Sequence, residues 1–174
     1  MVTSSSDQLT WLYTPPTQRV RLPVETAAQA LPFEELSWEE FERLCLRLVG
    51  MEANVEHHQP YGTRGQDQGG IDIYARRRHG QKYAVYQCKR VREFGPAQIE
   101  RAVTTFLTGK WVGRTDTFVL CTSSSLTSLQ RAEALEKQSA VLASSGIRLI
   151  PWDSVVLSEK LKSLPEVMND FFGR

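Results

Sequence analysis

Gly65-Gln66-Asp67-Gln68-Gly69-Gly70-Ile71-Asp72-Ile73-Tyr74-Ala75, then Arg76-Arg77-Arg78-His79-Gly80-Gln81-Lys82, then Tyr83-Ala84-Val85-Tyr86-Gln87-Cys88-Lys89-Arg90-Val91-Arg92, is the stretch whose reading decides the fold. Two alternating apolar runs, Ile71 to Ala75 and Tyr83 to Lys89, flank a polar segment containing Gly80, the pattern of a β-hairpin with a loose turn. Period two places Ile71, Ile73 and Ala75 on one face of the first strand and turns Asp72 to the other. Gln87 and Lys89, two apart, share a face of the second. A turn centred near His79 pairs position 72 at about position 85 or 86, so Asp72 is expected beside Gln87 and Lys89. An unpaired buried charge costs several kcal/mol. The acid and the lysine therefore read either as a cross-strand ion pair at a sheet edge or as a site that uses both charges.

Upstream of the hairpin, Ser37 is an N-cap, and Glu40 three residues on completes a capping box, opening a helix through about Val49 that Gly50 stops. Trp38, Phe41, Cys45, Leu48 and Val49 form its inward stripe, and Glu42 falls inside that stripe. An inward carboxylate wants a cation, which makes Glu42 the candidate helix-borne acid; the competing reading pairs it with a surface arginine at the stripe's margin. A first strand is expected over Ala53 to His57. His57 and His58 are adjacent, so on a strand they face opposite ways and cannot chelate one ion together. In the Gly- and Gln-rich loop that follows, Asp67 is either a second acid or the first residue of an Asx turn.

Downstream, Ala97 to about Lys110 reads as an amphipathic helix with Ile99, Val103, Phe106 and Leu107 inward and Gln98 and Arg101 on its polar sides. Thr117 to Thr122 is a continuous apolar strand of the kind buried on both faces. A helix over Leu126 to Ala143, closed by Gly146, a strand over Ile147 to Ile150, a helix over Ser154 to Leu161 and a last helix from Pro165 to Phe172 complete the chain. Residues 1–35, with Pro15, Pro16, Pro23 and Pro32, read as an extended arm containing one short strand at Gln18 to Leu22, with Trp11, Leu12 and Tyr13 as anchors. Residues 36–152 read as the core and 153–174 as a C-terminal helical segment. The order α-β-β-β-α-β predicts an α/β fold with a mixed central sheet flanked by helices.

The 174 residues make one domain's worth of chain, and the net charge of +1 advertises no polyanion partner. Charge is local instead. From Ile73 to Arg92 there are seven Lys or Arg residues and no Asp or Glu. Arg76, Arg77, Arg78, Lys82, Arg90 and Arg92 are thus candidate phosphate contacts, against the plainer reading of a solvated basic turn. The three cysteines, Cys45, Cys88 and Cys121, stand in apolar patterns without paired spacing and read as reduced core residues of a cytoplasmic protein. No run approaches the length of a membrane span.

Gly69-Gly70-Ile71-Asp72-Ile73, followed fifteen residues after the aspartate by Gln87-Cys88-Lys89, resembles the D…QxK signature of Mrr-like restriction endonucleases, a branch of the PD-(D/E)XK nuclease superfamily. Trp38-Glu39-Glu40-Phe41-Glu42-Arg43-Leu44-Cys45 is similar to the Phe-Glu-bearing first helix of that family, and the likeness covers about residues 36 to 150. It implies the restriction-endonuclease-like core αβββαβ and hydrolysis of DNA phosphodiesters with Mg²⁺, for which Mn²⁺ can substitute. Asp72, Gln87 and Glu42 would hold the metal, and Lys89 would stabilise charge on the phosphate. The superfamily's second acid is Gln87 here, a neutral and weaker ligand. Relatives act in restriction and antiviral defence, often as one domain of a longer polypeptide, and cutting both strands with one site per chain favours a homodimer. RNA is an alternative substrate. The alternative function is a catalytically inactive domain that binds nucleic acid or mediates assembly.

Overall fold

The computed structural model describes residues 11–17, 30–63 and 66–173, with the side chain of Trp11 left aside. The expected strand at Gln18 to Leu22 and the hairpin's leading Gly65 lie outside the described residues. Five strands, β1 (Val55–Pro60), β2 (Ile73–Arg77), β3 (Tyr83–Lys89), β4 (Thr115–Thr122) and β5 (Arg148–Trp152), form one sheet in the order of the sequence. β1–β2 and β2–β3 pair antiparallel; β3–β4 and β4–β5 pair parallel. The parallel pairs need crossovers, supplied by α2 (Pro96–Leu107) between β3 and β4 and by α3 (Leu129–Ala143) between β4 and β5. α1 (Trp38–Gly50) precedes the sheet, and α4 (Ser154–Lys162) and α5 (Pro165–Phe172) follow it. This is the mixed, helix-flanked α/β sheet expected from the sequence.

Alternation along β4 shows why its sequence is apolar throughout. Val119 and Cys121 enter one core with α1, α4 and α5, where Leu44, Cys45, Leu157, Val167 and Phe171 are buried. Phe118 and Leu120 enter a second core with α2 and α3, where Ile99, Val103, Phe106 and Leu142 are buried. Phe106 stacks on Phe118 with ring centroids 4.6 Å apart, and emptying either position would cost about 3–5 kcal/mol. Leu12 of the N-terminal turn Trp11–Tyr13 also reaches the α1 core, and the Arg47 guanidinium lies over the Tyr13 ring at 5.5 Å. Among the described residues no helix is long and apolar enough to cross a membrane.

Several local expectations are corrected. β1 starts at Val55 rather than Ala53, and β2 covers Ile73–Arg77 rather than Ile71 to Ala75. Ile73 pairs with Tyr86, so the register places position 72 opposite Gln87, not position 85 or 86. Ile71 lies before the strand, where period two does not apply, and it enters the α2 core while Ile73 and Ala75 enter the α1 core. Ser37 caps α1 by accepting from the Glu40 amide, but the Glu40 carboxylate pairs with Arg43 at 3.1 Å instead of closing a capping box. Trp38, expected inward, is 48% exposed at the first position of the helix.

Candidate active site

β2 begins one residue after Asp72, and that offset builds the site. The Asp72 amide donates to the Tyr86 carbonyl at 2.8 Å, and its carbonyl accepts from the Tyr61 amide at 2.8 Å. Its side chain then replaces the next ladder rung: Oδ2 accepts from the Cys88 amide at 2.6 Å. A glycine turn allows this approach. Gly69 and Gly70 have φ of 58° and 78°, and a Cβ on Gly70 would stand 2.8 Å from the Phe106 amide nitrogen. Asp67 holds that turn by accepting from the Gly69 amide at 3.0 Å, so it is an exposed Asx-turn residue and lines neither cavity described below.

The carboxylate set in this way is raised above its ordinary range, first by burial; the Cys88 N–H and the charge of Lys89 pull the other way. Glu42 of α1 is raised to about 7, first by burial, then by the charge of Asp72 and then of Glu39. Two half-buried acids, both raised by burial and one raised further by the charge of the other, are a pair lacking a cation. Both line a cavity of about 650 Å³ between α1 and the loop before β2, together with Trp38, Gln66, Gln68 and Arg90.

Gln87 and Lys89 point to the opposite face of β3 and line a second cavity, of about 210 Å³, against α2. Gln87 is only 3% exposed, and its Oε1 has no hydrogen-bond partner. A buried carbonyl oxygen left bare costs about 1–3 kcal/mol. Like the Asp72 and Glu42 oxygens it is a donor of the hard type that divalent cations such as Mg²⁺ take, though it opens onto the other cavity. The candidates thus divide: Glu42 and Asp72 share the larger cavity, Gln87 and Lys89 the smaller, and Asp72, in the sheet's plane, acts on Glu42 on one side and feels the charge of Lys89 on the other.

The basic candidates divide as well. Arg90 lines the larger cavity and donates to the Glu34 carbonyl at 3.2 Å, and Arg92 is exposed nearby. Arg76 pairs with Glu56 at 3.5 Å and Arg77 with Asp116; Arg78 and Lys82 are exposed at the hairpin's tip. Five residues of β-strand separate that tip from the Asp72 rung, about 17 Å. His57 and His58 stay apart from the site: His57 contacts Gln59, and His58 lies under Gly50.

Residues not singled out from the sequence complete the smaller cavity. Gln98, Arg101 and Thr105 of α2 line it beside Gln87 and Lys89, with Gln98 Oε1 also accepting from the Gly95 amide. Their 3- and 4-residue spacing on a helix that follows β3 after a short Gly95-Pro96 link was the available signal. A family model named Mrr_cat, described as restriction endonuclease, matches residues 33–153, from the turn before α1 to the cap of α4. No curated protein matches the chain.

Proposed function

The chain belongs to the Mrr_cat restriction endonuclease family, and from that premise we propose that it is a metal-dependent endodeoxyribonuclease. The observation that carries this reading is the set of three underused oxygen donors: Asp72 raised by burial, Glu42 raised by burial and by the charge of Asp72, and the bare Gln87 carbonyl. Asp72, between the two cavities, would hold the cation, Mg²⁺ or Mn²⁺, with Glu42 reaching it from the larger cavity or the Gln87 carbonyl from the smaller. A cation bound there supplies neutralising charge to a scissile phosphate. Lys89 directs its ammonium at a non-bridging oxygen and stabilises the charge that develops there. No ion pair occupies that ammonium among the described residues. Arg101 and Gln98 offer donors for a neighbouring backbone phosphate, and Arg90 lies on the other side of β3 to hold the strand. Such contacts read backbone, so specificity comes from elsewhere.

With one firmly placed carboxylate and a neutral amide, metal affinity without DNA is weak, and substrate phosphate completes the coordination. A restriction or antiviral effector role in the cytoplasm, within a homodimer or a longer polypeptide, fits this chemistry. The second reading, an inactive nucleic-acid-binding or assembly domain, is favoured by the amide of Gln87 standing where an acid would bind metal more strongly.

The test is plasmid cleavage by purified protein with Mg²⁺, Mn²⁺ or EDTA, beside Lys89→Ala. Metal-dependent nicking that disappears in the variant is expected. Intact plasmid with every ion, while labelled DNA is still bound, would establish the inactive domain; cleavage of RNA alone would change the substrate.

A further inference from the structure

Cys45 of α1, Cys88 of β3 and Cys121 of β4 come from distant parts of the chain, yet their Sγ atoms all lie within 4.8 Å of one another. All three are free thiols. The parallel register pairs Cys88 with Cys121, which places both on the face covered by α1. Cys45 descends from α1 onto the same point, three residues after Glu42. Cys45 and Cys121 are fully buried, whereas Cys88 is half-buried and lines the larger cavity. The triangle is therefore closed on the core side and open towards the candidate active site.

We propose that the three thiols form a second metal site, for a thiophilic divalent ion of the Zn²⁺ class, distinct from the oxygen-lined site beside it. A triangle with edges of 4.8 Å has its centre roughly 2.8 Å from each corner, against about 2.3 Å for a Zn–S bond. Side-chain movements of about half an ångström per sulfur close the difference. Soft sulfur selects such an ion over Mg²⁺, as the oxygen set selects the reverse. Three protein ligands leave a fourth tetrahedral position, and Asp72, which accepts from the Cys88 amide at 2.6 Å and lines the same cavity as Cys88, is the carboxylate to fill it. Each metal–sulfur bond forms as one S–H bond gives its proton to solvent, three protons per ion, with nothing oxidised or reduced. An ion that draws Asp72 into its coordination withdraws it from the oxygen site. Loading the thiols therefore inhibits cleavage, a consequence that rests on the nuclease reading although the binding itself does not.

The probe is Cd²⁺, titrated into the metal-stripped, phosphine-reduced full chain with excess Mg²⁺ to occupy oxygen ligands. Sulfur-to-cadmium charge-transfer absorption saturating at one ion per chain is expected. Cys45→Ala, Cys88→Ala and Cys121→Ala should each weaken binding by more than the roughly 10–100-fold that losing a supporting contact costs a metal site. The ¹¹³Cd resonance of the unsubstituted protein counts sulfur ligands in case a core variant fails to fold. No charge-transfer band, a resonance with fewer than three sulfurs, or a band unchanged in natively folded Cys45→Ala and Cys121→Ala would overturn the site; the thiols would then be apolar packing. Three-sulfur binding with cleavage undiminished would keep the site and overturn the inhibition.

Discussion

The two ends of the β2–β3 hairpin treat their polar groups in opposite ways. At the tip, two members of the arginine run that dominates the sequence find partners within the fold: Arg76 meets Glu56 and Arg77 meets Asp116. At the other end, burial raises Asp72 and Glu42, the charge of Asp72 raises Glu42 further, and the Gln87 carbonyl is buried bare. The density of charge in the sequence marks the end that the chain has already satisfied. Lack of satisfaction marks the end that awaits a ligand.

The widest separation between the two ends should come from Asp72→Asn. The asparagine oxygen still accepts from the Cys88 amide, so the rung and the fold survive while a metal ligand is lost. Cleavage should fall by about 10²–10³-fold, the scale of losing one electrostatic group, with DNA affinity nearly unchanged. Arg77→Ala at the tip should leave the turnover of bound DNA intact. Equal losses from both variants, measured as single-turnover cleavage, would abolish the distinction.

Glu42 sharpens the comparison through stability alone. Its folded value of about 7 lies above the unfolded value near 4.5, so between those limits the native state holds more protons than the unfolded one. Stability of the metal-free protein therefore falls as pH rises through that window, by roughly 2–3 kcal/mol in all. Above pH 7 Mg²⁺ should restore part of the loss, and below pH 4.5 it should add nothing. Glu42→Gln should flatten the profile between pH 4.5 and 7. Urea denaturation at stepped pH, with and without Mg²⁺, reads all three; a stability that rises across the window would reverse the sign of the argument.

The fold was legible because its signals are periodic. The continuous apolar β4, the Ser37 cap and the Gly146 stop each follow from local rules, and the strand–helix alternation sets the sheet. Asp72, Gln87, Lys89 and Glu42 were legible as candidates for a different reason, since each is a polar residue in an apolar pattern. Their division between two cavities was not legible. It depends on β2 starting after Asp72, and a one-residue offset decides which face a side chain takes. The partners of Arg76 and Arg77 were not legible either, because Glu56 and Asp116 stand 20 and 39 residues away. The three thiols meet across α1, β3 and β4, a convergence that no spacing announces.

The smallest expected effect concerns Arg78 and Lys82, which are exposed at the tip and carry no ion pair among the described residues. If DNA bound at Asp72 runs along the hairpin, the tip lies about 17 Å away, half of the roughly 34 Å helical repeat of a duplex. Each cation that meets a phosphate there contributes about 0.9 to the slope of log affinity against log salt. Arg78→Ala combined with Lys82→Ala should then lower that slope by at most about 2, leaving single-turnover cleavage of bound DNA unaltered. An unchanged slope would mean that the tip takes no part in binding and that the strand is held by Arg90, Arg92 and Arg101 alone. A lost cleavage rate would mean that the tip positions the scissile bond, and the two ends of the hairpin would have to be treated as one site.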